Sequence, residues 1–379
     1  MNLRWDPCIV QSGNVLRHFL QEFLDHPKRL SFVIGGAGFD PRAILVPECL
    51  SSFKKGRVQG IFFREERLNP QRTLRERADG HQKRIQELLP GSKFPEIQVF
   101  AEGKTVVGGR RAVEVLRSEN VAKATDILID ISALSTNVFF PVVRACLLLC
   151  DNAQKSGETI NLHLFAAEEP SFDHQIRGMP CDAVTWLHGY RGGESLEASH
   201  EKALLWLPTL APGNVAVSVL NRIHGFISRP LTPIDVCPII PFPSHDPRMP
   251  DKLVVEYREA LAQWKTDTRN FLYAAESDPL DCYRTICSIC SERERIFKHL
   301  AGSIVVLSPV GNKLLAVGAM LAAIERDLPV AMVEAVGYDA DVGSIEVAQC
   351  GYNHLNHIWL AGEAYLGRKR INSTMNKAL

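Results

Sequence analysis

Short apolar runs recur along the chain, and most are followed by a segment with helical spacing of apolar residues. The runs lie at 30–34, 58–63, 97–101, 127–131, 161–166, 234–240, 270–275, 304–307 and 330–333. The runs at 30–34, 127–131, 304–307 and 330–333 do not alternate strictly between apolar and polar residues, which is typical of parallel strands buried on both faces. The pattern therefore predicts an α/β fold with mainly parallel sheets.

Four longer segments are predicted as helices. They are 10–29, 64–83, 138–150 and 252–264. The second is rich in charge, and we interpret its arginines as a solvated helix face. These arginines are Arg64, Arg67, Arg72, Arg75 and Arg77.

The regular pattern weakens in the middle of the chain, which predicts two halves. A length of 379 residues suits two domains. We expect an N-terminal Rossmann-like half at 1–170, an irregular linker or lid at 171–230, and a C-terminal Rossmann-like half with a tail at 231–379. The linker contains His174, Cys181 and His188, whose spacing matches no zinc site.

The segment 304–334 has the clearest β-loop-α-β pattern. Its loop, 308–313, follows the first strand, where open α/β sheets bind ligands. Ser308 offers a hydroxyl, Gly311 lets backbone amides approach an anion, and Lys313 stands near the positive end of the next helix. We interpret the loop as half of a nucleotide or phosphate site. The alternative is an ordinary tight turn with a solvated lysine, and the Walker pattern is absent.

The loop after the first strand is also rich in glycine. Gly36 and Gly38 permit close backbone approach, and Asp40 before a proline predicts a capped helix start. The G-x-G-x-x-G fingerprint is absent, so we do not predict a NAD site here.

A weak internal repeat relates the two halves. The triplet Asp-Pro-Arg occurs at 40–42 and at 246–248, and a strand that ends in a serine loop occurs near 130 and near 308. If the halves pack as a pseudo-dimer, we expect the polar groups of these loops to meet in one cleft. Arginine and lysine suit phosphates, and aspartates suit ribose hydroxyls or a metal. The expected ligand-binding residues are Ser308, Gly311, Lys313, Gly36, Gly38, Asp40, Arg42, Ser132, Asp246 and Arg248, with Asp130 and Ser244 nearby.

Composition narrows the classes of function. Lys and Arg together number 43, as do Asp and Glu, so no broad basic surface for nucleic acid is expected. No apolar run reaches the length of a membrane span, and the first residues lack the apolar core of a signal peptide.

The ten cysteines lie mostly in apolar stretches, as in reduced cytoplasmic proteins. The only C-x-x-C pair, Cys287 and Cys290, has no second pair, so we predict that it binds no metal.

The paired halves and the loop Ser308-x-x-Gly311-x-Lys313 resemble the CRISPR-associated Rossmann-fold (CARF) sensors and their fused two-half relatives. In that family a Thr/Ser-x-Gly-x-Lys/Arg loop contacts a cyclic or linear oligonucleotide in a dimer cleft. The first half departs from the pattern, since Ser132 and Ser135 stand where the family has a glycine loop. The resemblance implies a sensor of signalling nucleotides in antiviral defence.

Three functions follow as alternatives. The first is a nucleotide-binding sensor or regulatory protein. The second is an enzyme acting on a nucleotide or nucleoside, such as a glycosidic-bond hydrolase or transferase. The third is an interaction scaffold that uses 64–84 and the tail to bind a partner protein. The catalytic candidates of the enzyme are carboxylates at strand ends: Asp130, Glu168 and Glu276. Asp40, Asp246 and Asp278 precede prolines, so capping accounts for them. No cofactor is predicted other than a nucleotide ligand.

Overall fold

The computed structural model describes residues 3–169, 175–191, 202–228, 233–341, 343 and 352–366. His174 and the end of the tail, singled out in the sequence, lie outside these residues. The strands are β1 (Ile9–Ser12), β2 (Leu30–Gly36), β3 (Arg57–Glu66), β4 (Glu96–Gln98), β5 (Asp126–Asp130), β6 (Asn161–Ala167), β7 (Ile176–Trp186), β8 (Ala203–Pro208), β9 (Ile234–Val236), β10 (Ile239–Pro241), β11 (Leu272–Ala274), β12 (Ser303–Ser308), β13 (Ala331–Ala340) and β14 (Leu355–Ala361). The helices are α1 (Gly13–Phe19), α2 (Leu45–Ser51), α3 (Arg72–Leu88), α4 (Gly108–Arg117), α5 (Thr136–Lys155), α6 (Asn214–Ile227), α7 (Met249–Glu256), α8 (Arg258–Gln263), α9 (Pro279–Phe297) and α10 (Lys313–Arg326).

The chain forms two compact units that are interleaved in sequence. The N-terminal unit consists of Pro7–Met179 and Ala335–Lys369. The C-terminal unit consists of Met1–Asp6, Pro180–Glu334 and Arg370–Leu379. These bounds differ from the predicted halves, because each unit receives a segment from the other end of the chain.

The N-terminal unit contains a seven-stranded sheet in the order β1-β14-β6-β5-β2-β3-β4. The five strands from β2 to β6 are parallel, and β14 runs antiparallel to both of its neighbours. Numbered along the chain, these five strands have the spatial order 3-2-1-4-5, which is that of a doubly wound dinucleotide-binding fold. The central strands carry the core residues Val33, Leu128 and Phe165, which are buried in one hydrophobic cluster with residues of α1 and α2.

The C-terminal unit repeats this strand order. Strands β12, β8 and β9 form one parallel sheet and β10 pairs in parallel with β11. Parallel bridges join Thr209 to Ile239 and Leu307 to Val330, so β10 continues beside β8, and the chain that enters β13 lies beside β12. The order from β11 to the start of β13 is again 3-2-1-4-5. Trp206, Val306 and Tyr257 are buried in its core.

The predicted fold class is confirmed, and so is the parallel arrangement of its most apolar runs. β2 pairs with β5 and β12 pairs with β8, in both cases in parallel. These strands lack alternation because helices cover both faces of a doubly wound sheet.

Several local predictions differ from the structure. Within 171–230, where the sequence predicts an irregular segment, β8 is a buried strand at the centre of its sheet and α6 is a helix of 14 residues. Residues 10–12, the start of the predicted helix 10–29, belong instead to β1, which pairs with β14, a partner almost at the other end of the chain. The run 234–240 is two strands, and the helix 252–264 is the pair α7 and α8.

Two of the arginines predicted to be solvated are not, since Arg64 is buried and Arg67 is half-buried. Arg64 forms a 2.8 Å ion pair with Asp79, and Arg67 forms a 2.8 Å ion pair with Glu65. Both arginines precede α3 because β3 extends to Glu66, so they lie at the end of a buried strand rather than on an exposed helix.

Candidate functional site

In the C-terminal unit the strand order reverses between β8 and β12. Ligands of open α/β sheets bind in the crevice at the carboxyl ends of the two strands at such a point. The loops that follow these strands, 209–213 and 308–312, therefore form the candidate site of this unit. Helices α6 and α10 begin directly after them.

The two loops are tied together by Thr209 and Gly311. The Thr209 hydroxyl accepts a 2.7 Å hydrogen bond from the amide of Val310 and donates one of 2.8 Å to the carbonyl of the same residue. Gly311 has a φ of 94°, and a Cβ there would overlap the Cβ of Ala211. Gly311 is thus required by both its backbone conformation and the neighbouring loop, whereas the sequence explained it only by an approaching anion.

Ser308 does not present a free hydroxyl to the crevice. Its Oγ accepts a 2.9 Å hydrogen bond from Nε1 of Trp206 inside the core. The hydroxyl satisfies a buried indole N–H, which would otherwise cost free energy on folding. The Ser308 side chain therefore has a structural role, and its contact with a ligand stays a prediction.

The starts of α6 and α10 differ in how their amides are used. Asn312 caps α10, and its side-chain oxygen accepts hydrogen bonds from the amides of Leu314 at 2.7 Å and Leu315 at 3.2 Å. At α6 the cap is Gly213, which has a φ of 107° and donates its amide to the Glu256 carboxylate at 2.8 Å. Lys313 is half-buried at the first position of α10. The crevice is therefore surrounded by the N-terminal ends of two helices, one lysine and one carboxylate, that of Glu256.

The second Asp-Pro-Arg segment lies at the same edge of this sheet, after β10. Asp246 caps the following turn through the amide of Arg248 at 3.0 Å, and Lys252 donates to its other oxygen at 2.6 Å. The Lys252 ammonium and the Arg248 amide hold the pKa of Asp246 below its ordinary value. The Ser244 hydroxyl donates to the carbonyl of Asp246 at 2.6 Å. These groups build the turn itself, and the Arg248 side chain is exposed.

The proposed equivalence of the two Asp-Pro-Arg segments is not correct. Asp40 follows the first strand of its sheet in the 3-2-1-4-5 order, whereas Asp246 follows the second strand of the other sheet. The true counterpart of the 40–42 loop is the loop 209–213. The other half of the repeat is confirmed in its topology, because β5 and β12 are both the fourth strand.

A histidine and a carboxylate are paired beside this turn. Glu276 Oε2 accepts the backbone amide of His245 at 2.9 Å and its ring Nδ1 at 3.2 Å. The Glu276 amide itself donates to the Pro243 carbonyl at 2.9 Å. In the neutral tautomer that donates Nδ1–H to this carboxylate, Nε2 is the nitrogen left to accept a proton.

In the N-terminal unit the corresponding crevice lies between β2 and β5. A Cβ at Gly36 would lie 2.8 Å from the carbonyl oxygen of Ala133, and one at Gly38 would lie 3.6 Å from the same oxygen. These glycines therefore permit a close approach of the two loops. The Glu65 carboxylate accepts the amide of Ser135, at the start of α5, with a distance of 2.8 Å.

Asp40 and Arg42 are buried and bonded to each other. The Asp40 carboxylate accepts the Arg42 amide at 2.9 Å, its Nε at 2.9 Å and its Nη2 at 2.7 Å. The capping role predicted for this aspartate is confirmed, as it is for Asp278, which accepts the amide of Leu280 at 2.9 Å. The Arg42 charge is matched by an adjacent carboxylate within the fold.

The catalytic candidates of the N-terminal unit have backbone partners. The Asp130 carboxylate is buried and accepts the amide of Ser132 at 2.9 Å. The Ser132 hydroxyl accepts the amide of Ala167 at 2.9 Å. Glu168 pairs through its backbone with His354. Asp130 and Ser132 thus lie together in the turn that follows β5.

His81 is a residue that the sequence did not single out. It lies on α3, and its Nδ1 is 2.8 Å from the carbonyl of Gly38. Burial lowers the pKa of His81, and the nearby charge of Arg77 lowers it further. Arg77 and His81 are four residues apart on one helix. Their sequence spacing could therefore have predicted that the two side chains lie close together.

A second group of residues that the sequence did not single out lies at the opposite edge of the same sheet. His163 and His357 are fully buried, and Nδ1 of the first is 3.0 Å from Nε2 of the second. The other ring nitrogen of His163 faces the Asp126 carboxylate at 3.4 Å, and Asn161 donates to that carboxylate at 2.9 Å. Asp126 begins β5, so this chain of polar groups lies away from the ligand-binding edge.

Three further predictions concern metal, membrane and the shared cleft. Burial raises the pKa of the Cys287 and Cys290 thiols to about 12. Within the described ranges, no three His, Cys, Asp or Glu side chains lie together as metal ligands. No helix among those same residues combines the length and apolarity needed to cross a membrane. The absence of bound metal and the single cleft shared by both halves stay predictions.

Comparisons with known proteins identify no family. No protein-family model matches the sequence, and no curated protein matches it. An aldehyde dehydrogenase from Bartonella henselae is 10% identical, with a TM-score of 0.19, over 77% of this chain and 55% of that one. An N-terminal ketoreductase from a macrolactin assembly line is 9% identical, with a TM-score of 0.21, over 83% and 70%. The GsuK channel bound to NAD is 10% identical, with a TM-score of 0.18, over 78% and 60%. Similarity at this level carries no argument, so the site rests on its own geometry.

Proposed function

We propose that the protein binds a nucleotide in the crevice between the loops 209–213 and 308–312 and acts as a regulatory sensor. The observation that carries the proposal is the meeting of these two loops at the point where the strand order reverses. Helices α6 and α10 both begin there, each with 14 residues, and their positive ends favour phosphate oxygens.

Two further contacts support an anionic ligand. The amide of Gly213 already binds a carboxylate oxygen of Glu256, so this backbone position favours negatively charged oxygens. Lys313 adds a cation at the start of α10. The neutral overall charge favours a small ligand held by local groups over an extended nucleic acid. A role in antiviral defence is the part of the proposal that rests on the CARF resemblance alone.

The test is calorimetry with AMP, ATP, NAD and a cyclic di- and trinucleotide, on the wild type and on Lys313→Ala. Loss of a charge-assisted hydrogen bond costs about 1.5–3 kcal/mol, so we expect affinity to fall roughly tenfold to a hundredfold. Lys298→Ala is the matched control, since it removes the same charge from the exposed end of α9, at the opposite edge of the sheet. If Lys313→Ala and Lys298→Ala bind the same nucleotide equally well, the site is assigned wrongly.

The pair His245 and Glu276 favours a second candidate function, an enzyme that acts on the bound nucleotide. A carboxylate that orients Nδ1–H of a histidine leaves Nε2 to accept a proton during hydrolysis or transfer. Conversion of the bound nucleotide, detected by chromatography, would favour this candidate. We would then expect His245→Ala to lose turnover while it keeps binding.

A further inference from the structure

Two large aromatic side chains are exposed next to each other in the C-terminal unit. Phe242 and Tyr273 are each 50% exposed, and their ring centroids are 6.1 Å apart at an interplanar angle of 74°. Neither ring belongs to the core of this unit. An exposed aromatic pair on a well-ordered element is a common feature of ligand-binding surfaces.

The backbone holds both rings in place. Tyr273 lies in β11 opposite Ile240 of β10, and the Phe242 amide donates to the carbonyl of Ala274 at 2.8 Å. The pairing continues past the strands, because Glu276 donates its amide to Pro243. A ligand that stacks on these rings therefore meets a preorganised surface, which lowers the entropy cost of binding.

The surroundings favour a small polar ligand with a planar ring over a protein partner. The polar residues His245 and Glu276, which are bonded to each other, and the ion pair of Asp246 with Lys252 lie nearby along the chain. The apolar area of two rings is far smaller than the core of a stable protein interface. Planar bases, in contrast, stack on single aromatic rings.

The position of the pair also fits the proposed phosphate crevice. Phe242 follows β10, whose residue Ile239 lies beside Thr209 of the β8 loop. Neighbouring strands are about 4.8 Å apart, so β11 lies roughly 10 Å from β8 along the carboxyl edge. The phosphate and the base of one nucleotide are separated by a comparable distance.

We propose that Phe242 and Tyr273 form the platform on which the base of the bound nucleotide stacks. This inference rests on the proposed function, since it assumes that the phosphate binds between the loops after β8 and β12. The proposed ligand is therefore a nucleotide whose base can stack on these rings, rather than a sugar phosphate without a base.

The experiment compares Phe242→Ala and Tyr273→Ala with the wild type by calorimetry. The probes are the tightest-binding nucleotide of the panel above and ribose 5-phosphate, which has sugar and phosphate but no base. Stacking on one ring accounts for a roughly fivefold to hundredfold gain in affinity. We therefore expect each variant to lose that factor for the nucleotide and to bind ribose 5-phosphate as the wild type does. Phe242→Tyr, which keeps an aromatic face, should retain nucleotide affinity.

The control is Phe226→Ala, which removes a ring of similar exposure, 45%, from α6. If no nucleotide of the panel binds the wild type, the proposed function and the stacking platform both fail. If nucleotides bind but Phe242→Ala and Tyr273→Ala behave like Phe226→Ala, only the platform fails. A variant that loses self-association on size-exclusion chromatography while it keeps nucleotide affinity would identify the pair as a protein contact and overturn the inference.

Discussion

Among single residues, Asp126, His163 and His357 show most clearly how a local environment sets charge. Burial alone would raise the pKa of Asp126, but hydrogen bonds from His163 and Thr125 and the charge of Arg29 hold it below its ordinary value. Burial lowers the pKa of His163 and lowers that of His357 well below the ordinary value. The carboxylate stays charged, and both rings stay neutral near pH 7. The ring of Phe19 stacks on His357 with centroids 4.8 Å apart, which closes the group to solvent.

This group makes stability depend on pH. A histidine whose folded pKa lies below its unfolded value of about 6.5 favours folding above that pH, and this contribution decreases as pH falls toward the folded pKa. Between pH 7.5 and 5.0 we expect the wild type to lose up to about 2 kcal/mol for each of the two histidines. The Asp126 contribution is lost only at lower pH, below its unfolded pKa of about 3.9.

Urea unfolding at the two pH values measures the change, and His357→Gln is the informative variant. Glutamine keeps an amide donor for His163 Nδ1 but does not titrate, so its stability should fall less between pH 7.5 and 5.0. An equal loss in the variant and the wild type would show that His357 does not contribute.

At the scale of elements, the close contact between the loops after β8 and β12 depends on Gly311. Its positive φ strains any other residue, and its missing Cβ leaves room for Ala211. We expect Gly311→Ala to lower the free energy of unfolding by about 1–3 kcal/mol, through strain and steric overlap together. Denaturant unfolding is the measurement.

Substitutions at two other glycines distinguish backbone strain from steric overlap. Gly213 has a φ of 107° but no atom within 4 Å of an added Cβ, so Gly213→Ala should suffer strain alone and cost less than Gly311→Ala. Gly225 lies on the exposed face of α6 with open space around it, and Gly225→Ala should stabilise the protein by about 0.5–1 kcal/mol. If Gly213→Ala is as damaging as Gly311→Ala, the overlap with Ala211 does not contribute.

Which elements could be predicted depends on where their partners lie in the sequence. β2, β5 and β12 each contain an uninterrupted run of at least three apolar residues, so composition alone identifies them as buried strands. β1 has two exposed apolar residues and is a strand only because it pairs with β14. The two histidines were missed for the same reason, since 194 residues separate them and only the folded sheet brings them together.

The sequence predicted where the C-terminal site lies better than it predicted what the side chains there do. A strand followed by a glycine loop and a helix identified 308–313, and that loop does lie where the strand order reverses. The sequence could not show that the Ser308 hydroxyl would be bonded to Trp206, because the two residues are 102 positions apart. The sequence pattern also did not predict β8, although Leu204, Leu205 and Trp206 form an apolar run. The loop after β8, which completes the crevice, was therefore not predicted either.

For the whole molecule, both units have the same order of parallel strands, but their crevices differ in the helices that follow them. A helix-start amide is bonded to a glutamate in each crevice, to Glu65 at α5 and to Glu256 at α6. In the C-terminal unit both loops lead directly into helices of 14 residues, whereas α2, which follows the loop after β2, has only seven. This difference is why we assign the nucleotide to the C-terminal unit.

Amide NMR of the isotope-labelled protein during titration with the panel nucleotides tests this assignment most directly. The account predicts that the largest chemical-shift changes fall on the amides of 209–214 and 308–314, with smaller changes near 242 and 273. In Lys313→Ala the same amides should move only at roughly tenfold or higher nucleotide concentration. Saturable changes that leave both loops unaffected, or no change at any nucleotide, would contradict it.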